Sequence, residues 1–133
     1  MVESDPKVEY LDVSNNLRHW NTLRFAELTI YIAIIGAMMN VVFGKPAPLP
    51  ITISILVKIA GVLVSILFLI LQERTMAYWY KFIERAAELE EVLGFEQYKR
   101  RPKARVITGR RAVRLFFLVI ILFWVISIFL SPI

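Results

Sequence analysis

Apolar positions fall into three long blocks, about 25–43, 51–71 and 112–130, with polar positions returning between them. Each block comes close to the ~20 residues that a helix needs to cross a bilayer. Residues 51–93 carry a second pattern laid over the first. Ser54, Lys58, Gly61, Ser65, Phe68, Gln72, Thr75, Trp79, Phe82, Ala86, Leu89 and Leu93 recur at alternating steps of four and three. That is the heptad period of left-handed helix packing. The seam is small and polar in its first half and apolar and aromatic in its second. Neither half suits the solvent around it, so the face is expected to be buried against other helices along its whole length. A single helix over 51–93 therefore leaves the membrane and continues, with Gly94 as its natural terminator.

The first block has a stripe of the same period: Thr22, Ala26, Thr29, Ala33, Gly36 and Asn40. Little hydrophobic force draws helices together in lipid, so small residues and interhelical hydrogen bonds carry the packing. Blocks one and two are separated by Gly44-Lys45-Pro46-Ala47-Pro48-Leu49-Pro50, which cannot continue a helix. The expectation is a tight antiparallel hairpin in which the two stripes face each other, or in which one of them lines a central pathway in an oligomer. The third block, Leu115 to Ile126, is uniformly bulky, with Ser127 its one small polar residue before the end. It is expected at the periphery, facing lipid, and Trp124 sits at no obvious interface depth.

Upstream, Ser14 is the expected cap of a helix over 14–43, preceded by an acidic tail over 1–13. Residues 95–111 read as a basic loop broken by Pro102 and Gly109. No repeats or low-complexity tracts occur. The fold class expected is an all-α integral membrane protein: three transmembrane helices, the first two a hairpin, the second extended into a long cytoplasmic helix.

Composition agrees: 133 residues, 58% hydrophobic, with a mean hydropathy of +0.62. One compact unit is expected. Cysteine is absent, which excludes disulfides and thiolate metal sites. The net charge of +5 is uneven. Residues 72–114 hold eleven of the sixteen Lys and Arg, and 99–114 contain no acid. The positive-inside rule then places the N-terminus and 72–114 in the cytoplasm, and the hairpin tip and C-terminus outside, in a multi-pass protein of the inner membrane. No signal peptide is expected, because the residues before the first block are acidic.

Few residues carry candidate chemistry. Lys58 lies seven residues inside the second block, where a lysine costs ~2.5–3.5 kcal/mol near the bilayer centre. It is expected to snorkel or to bond Asn40 above Gly36, or to set a charge in an ion pathway beside Ser54, Gly61 and Ser65. Glu27 is expected to pair with Arg114 or Arg24, with a proton-relay role the sharper alternative. The cytoplasmic helix carries Glu84, Glu88, Glu90 and Glu91 among Lys81 and Arg85, and Glu84 and Glu88, one turn apart, could suggest a metal. With His19 the sole histidine, that helix face is expected to be solvated and no metal or cofactor is implied. Lys99, Arg100, Arg101, Lys103, Arg105, Arg110 and Arg111 are expected to attract anionic lipid, or else an acidic partner or a nucleotide second messenger. No nucleic-acid module surrounds them. Nucleophile-elbow, zincin, Walker and dinucleotide motifs are all missing, so no enzyme is expected.

The layout of a short helix, a tight two-span hairpin and a helix opening Gln72-Glu73-Arg74 with Tyr78, Trp79 and Tyr80 resembles the bacterial SLATT-type two-span proteins. The likeness covers about 14–98 and includes Ala86, Glu88-Leu89-Glu90 and Tyr98; the third span is an addition to that plan. The resemblance implies a membrane-perturbing or pore-forming effector and carries over no functional residue. Function is thus expected to be that of an oligomeric small membrane protein forming a pore or channel. The alternative is a non-conducting scaffold that recruits a partner through 72–93.

Overall fold

The computed structural model describes residues 5–44, 49–100 and 108–130. Three helices account for nearly all of them: α1 (Pro6–Phe43), α2 (Ile51–Leu93) and α3 (Gly109–Phe129). Each is long and apolar enough to span a membrane. Lys45, Pro46 and Pro48 of the hairpin, and Arg101, Pro102, Lys103 and Arg105 of the basic segment, lie outside the described residues.

α2, with 43 residues, is about 64 Å long at ~1.5 Å per residue, roughly twice the hydrocarbon thickness of a bilayer. The apolar block 51–71 makes up its first half, and the remainder from Gln72 onward forms a stalk in which polar residues return. It ends at Gly94, whose φ of 77° is the left-handed conformation that glycine adopts without a Cβ clash. α1 and α2 run antiparallel, Tyr10 meeting Glu90 and Tyr31 meeting Ser65.

α1 begins earlier than the capping residues predict. Asp5, not Ser14, is the cap, its carboxylate accepting from the Lys7 amide at 2.9 Å, and Pro6 opens the first turn. Much of the expected acidic tail is therefore helix. Ser14 instead lies within the helix, its hydroxyl 3.3 Å from that of Tyr98. α3 starts at Gly109 with Thr108 as its cap, inside what reads as loop.

Helices pair as α1 with α2 and α2 with α3, so α2 is the central member. The α2 seam is buried or half-buried from Ser54 to Leu93. Two clusters fill it. In the stalk, Val13 and Leu17 of α1 pack on Ile83, Ala86 and Leu89 of α2, with Tyr10, Trp79, Phe82 and Tyr98 around them. In the membrane half, Tyr31 and Ile35 of α1 and Phe117 and Trp124 of α3 form the second cluster.

Two expectations about packing are corrected here. The small stripe of α1 does not face α2: Thr22, Ala26, Thr29, Ala33, Gly36 and Asn40 are all exposed. α1 packs through Val13, Leu17, Trp20, Arg24, Glu27 and Tyr31, a heptad offset by two residues, which on a helix is nearly the opposite face. α3 does flank α2 with most of its surface exposed, but it is not wholly lipid-facing. Val113, Phe117, Ile120, Trp124 and Ser127 step four and three and lie against the rest of the bundle, with Phe117 and Trp124 fully buried. The reason is steric complementarity. Bulky rings of the flanking helices fill the space that the small residues of α2 leave open, which gains more dispersion contact than two small faces would.

Candidate functional site

Polar groups of the membrane half lie along the α2 seam in four tiers. Nearest the turn, Lys58 is 5% exposed, and its Nζ donates to the Ser127 carbonyl of α3 at 2.8 Å. The same ammonium lies 5.8 Å from the Phe43 ring centroid. Ser127 Oγ donates to the Trp124 carbonyl at 2.8 Å. Lys58 is therefore held by α3 and not by Asn40, whose side chain is on the exposed face of α1. A carbonyl in the last turn of a helix is a strong acceptor for a cation, because the helix dipole adds to it.

One turn deeper, the Trp124 indole lies on Gly61. A Cβ on Gly61 would come within 2.6 Å of indole Cε2. Glycine is required here for close approach, not for its backbone angles. The indole Nε1–H is buried without a hydrogen-bond partner. Gly36 is different, since a Cβ there meets nothing within 4 Å. In the next tier, Tyr31 donates to Ser65 Oγ at 2.9 Å and Ser65 donates to the Gly61 carbonyl at 2.7 Å. Phe117 closes over Tyr31 with ring centroids 4.6 Å apart. Ser54, at the start of α2, is half-buried.

At the mouth of the stalk, Gln72 Nε2 donates to the Arg24 carbonyl at 3.0 Å and to Glu27 Oε2 at 3.2 Å. Thr75 Oγ1 donates to the same carboxylate at 3.1 Å. The expected Glu27–Arg114 and Glu27–Arg24 ion pairs are corrected: Glu27 is satisfied by neutral donors of α2. Arg114 turns instead to Glu73, with Nη2 to Oε2 at 2.8 Å, and Arg110 joins through Nε at 3.1 Å. This double bridge fixes the start of α3 to α2.

In the stalk, Glu90 is fully buried and accepts from Tyr10 OH at 2.9 Å and from the Tyr98 and Lys99 amides at 3.0 Å each. The expectation of a solvated helix face fails at this residue. Burial pushes the Glu90 carboxyl up, but the backbone N–H donors and the Tyr10 hydroxyl outweigh it and hold it below its ordinary value. Burial, with Glu90 beside it, pushes Tyr10 up to about 12. Arg85 bridges Glu9 of α1 at 2.7 Å and Glu88 at 2.9 Å. Trp20 stacks on Tyr78 with centroids 4.9 Å apart.

The basic run divides. Lys99 pairs with Glu91 at 3.0 Å, Arg100 pairs with Glu96, and Arg110 is held by Glu73, while Arg111 is exposed. At the far end of the stalk a groove of about 230 Å³ is lined by Lys7, Tyr10, Leu11, Leu93 and Phe95. Around it Val8, Leu11, Val92 and Phe95 are at least half exposed, Val92 reaching 70%.

Chemically the seam ties helices together. Among the described residues no group of three His, Cys, Asp or Glu side chains could hold a metal ion. Sequence reasoning missed Trp124, Phe117 and Glu90. A bulky heptad on α3 opposite a small one on α2 was a usable signal for the first two. Glu90 gave none, because a glutamate on a charged helix is ordinarily solvated. Comparisons with family models, with curated proteins and with solved structures return no match.

Proposed function

We propose that the protein is a non-conducting membrane scaffold: a three-helix base in the bilayer carrying a two-helix stalk whose tip receives a partner. One observation carries this reading. The seam that could have lined a pathway is filled within a single chain, with Lys58, Gly61 and Ser65 buried by α1 and α3. Tip geometry supports the rest. Val8, Leu11, Val92 and Phe95 form an apolar patch at the end of the chain's aqueous half, and an amphipathic helix of a partner protein is the chemistry that fits it. We place the stalk and the N-terminus in the cytoplasm of the inner membrane and the C-terminus outside, because the stalk side of the bundle holds the excess of arginine and lysine.

Purified protein in planar bilayers is expected to show no current above that of the lipid at any voltage. A photocrosslinking residue at Val92 is expected to give an adduct heavier than two copies of the chain, lost on Phe95→Asp. Steady ion current from wild type would overturn the scaffold, as would an adduct of two copies alone.

The second reading is the oligomeric pore, the membrane-perturbing effector that the SLATT-type resemblance implies. It is favoured by the stripe of α1, whose small residues Ala26, Ala33 and Gly36 face outward and suit a further helix. In that reading self-association runs through α1, and any pathway lies between copies.

A further inference from the structure

We propose that Arg74 and Lys81 of α2 form a headgroup site for an anionic phospholipid of the surrounding bilayer. The proposal rests on the membrane-embedded base and on nothing about the stalk tip. A groove of about 310 Å³ is lined by Arg74, Ala77, Tyr78 and Lys81. Arg74 comes three residues after the apolar block ends at Leu71, within the headgroup layer that adds ~5–7 Å on each side of the hydrocarbon. Lys81 is two turns further out. Side chains on a helix lean towards its N-terminus, which for α2 is towards the bilayer, so the Lys81 ammonium faces the headgroup layer from its water side while Arg74 stands within it. Tyr78 forms the floor. The Arg74 guanidinium lies 6.0 Å from its ring centroid, and Trp20 stacks on it within 8° of parallel. Paired amphipathic rings of this kind belong at the headgroup level.

Charge bookkeeping identifies the ligand. On α2 and the turn after it the other stalk cations are paired: Arg85 with Glu9 and Glu88, Lys99 with Glu91, Arg100 with Glu96, whereas Lys7 and Arg18 of α1, which line no groove with Tyr78, have no such partner among the described residues. At the start of α3, Arg110 and Arg114 share Glu73. Among the described residues Arg74 and Lys81 have no carboxylate within ion-pair distance, and neither do Arg24 and Arg111, which stand just outside the first and third apolar blocks. Cations left unneutralised where three apolar surfaces end complement one thing, a layer of phosphate.

The test is native mass spectrometry of the full-length protein from detergent micelles, titrated with phosphatidylglycerol or with phosphatidylcholine of identical chains. Wild type is expected to retain phosphatidylglycerol in preference. Arg74→Gln with Lys81→Gln is expected to lower that affinity about thirtyfold, at about fivefold per cation. Arg85→Gln with Lys99→Gln removes the same charge from neutralised sites and is expected to change it by less than about twofold. Arg74→Lys with Lys81→Arg is expected to retain the lipid, which separates lost charge from lost fold. Equal retention of the two lipids by wild type overturns the site. So does an equal loss in both double variants, or displacement of the lipid by about 10 mM inorganic phosphate, whose single headgroup chemistry lacks the acyl chains. The readout is independent of ion conduction and of any partner at Val92, so failure of the scaffold leaves it standing.

Discussion

Gly61 and Gly36 look alike in the sequence, each a glycine in the middle of an apolar block on a small-residue stripe. Their surroundings make opposite demands. Gly61→Ala drives a methyl into the Trp124 ring, from which even the ideal Cβ is only 2.6 Å. Overpacking of this kind costs ~1–3 kcal/mol. Gly36→Ala meets open space and removes the flexibility penalty of glycine in a helix, a gain of ~0.5–1 kcal/mol. Thermal unfolding in detergent is expected to show Gly61→Ala lowered and Gly36→Ala unchanged or raised. Trp124→Leu alone is expected to destabilise through the cavity it leaves, yet to cancel much of the Gly61→Ala cost when the two are combined. Additive losses in the double variant would mean that the ring and the glycine do not meet.

At the scale of elements, the two ends of α2's aqueous half are each closed by a glutamate. Glu90 holds the turn after α2 to the first turns of α1, through Tyr10 and the Tyr98 and Lys99 amides. Its folded value is below the ordinary one, so its contribution is complete above the unfolded glutamate range near ~4.3 and is lost as pH falls through the lower folded value. Tyr10, raised to about 12, has the opposite sign: its contribution is complete below the ordinary tyrosine value of ~10 and is lost as pH rises beyond it. Hydrogen exchange at the Tyr98 and Lys99 amides is expected to show protection that is flat between about pH 5 and pH 9, once corrected for intrinsic rates, and that falls below about pH 4. Glu90→Gln is expected to reduce that protection about tenfold at neutral pH and to remove the acid limb. An acid limb of unchanged size in the variant would assign it to another carboxylate. Glu73 acts at the other end, where it binds Arg110 and Arg114. Glu73→Gln is expected to speed tryptic cleavage after Arg110 and Arg111, because the first turn of α3 then opens more often. Cleavage at the wild-type rate would show that ring packing alone seats α3.

The whole molecule is a bundle in which one long helix serves two neighbours. α1 and α3 touch each other through aromatic side chains, as where Phe43 stacks on Trp124 at 6.4 Å and Tyr31 meets Phe117. α2 is the spine of both the apolar base, shared with α1 and α3, and the stalk, shared with α1. Orientation is the property on which the scaffold reading depends. Cysteines placed singly at Pro50 and Gln97, both exposed, are expected to react with a membrane-impermeant thiol reagent from opposite sides: Pro50 from outside in intact cells, Gln97 only after lysis. Reaction of Gln97 alone in intact cells would reverse the orientation, and reaction of both would mean that α2 does not cross the membrane.

Chain chemistry by itself determined the three helices, the extent of α2 and the location of its inner face. Apolar length, the stop at Gly94 and an unbroken four-three spacing are local or one-dimensional properties, and they need no partner to be read. What the sequence left open was the identity of the neighbour. A heptad repeat names a face and is silent on what packs there, and small residues suit equally a second small-faced helix or a bulky ring. Only the tertiary structure decided that Gly61 receives Trp124, that Ser65 receives Tyr31, and that the α1 stripe through Gly36 and Asn40 faces outward. It likewise decided the charge partners. Glu27 and Arg114 stand at matching depth along the chain, but depth says nothing about azimuth. Rotation of α1 towards α2 gave Glu27 the donors Gln72 and Thr75 and left Glu73 for the arginines of α3. Buried Glu90 was the least legible residue, because its three donors come from a turn and a helix that meet only when the stalk is assembled.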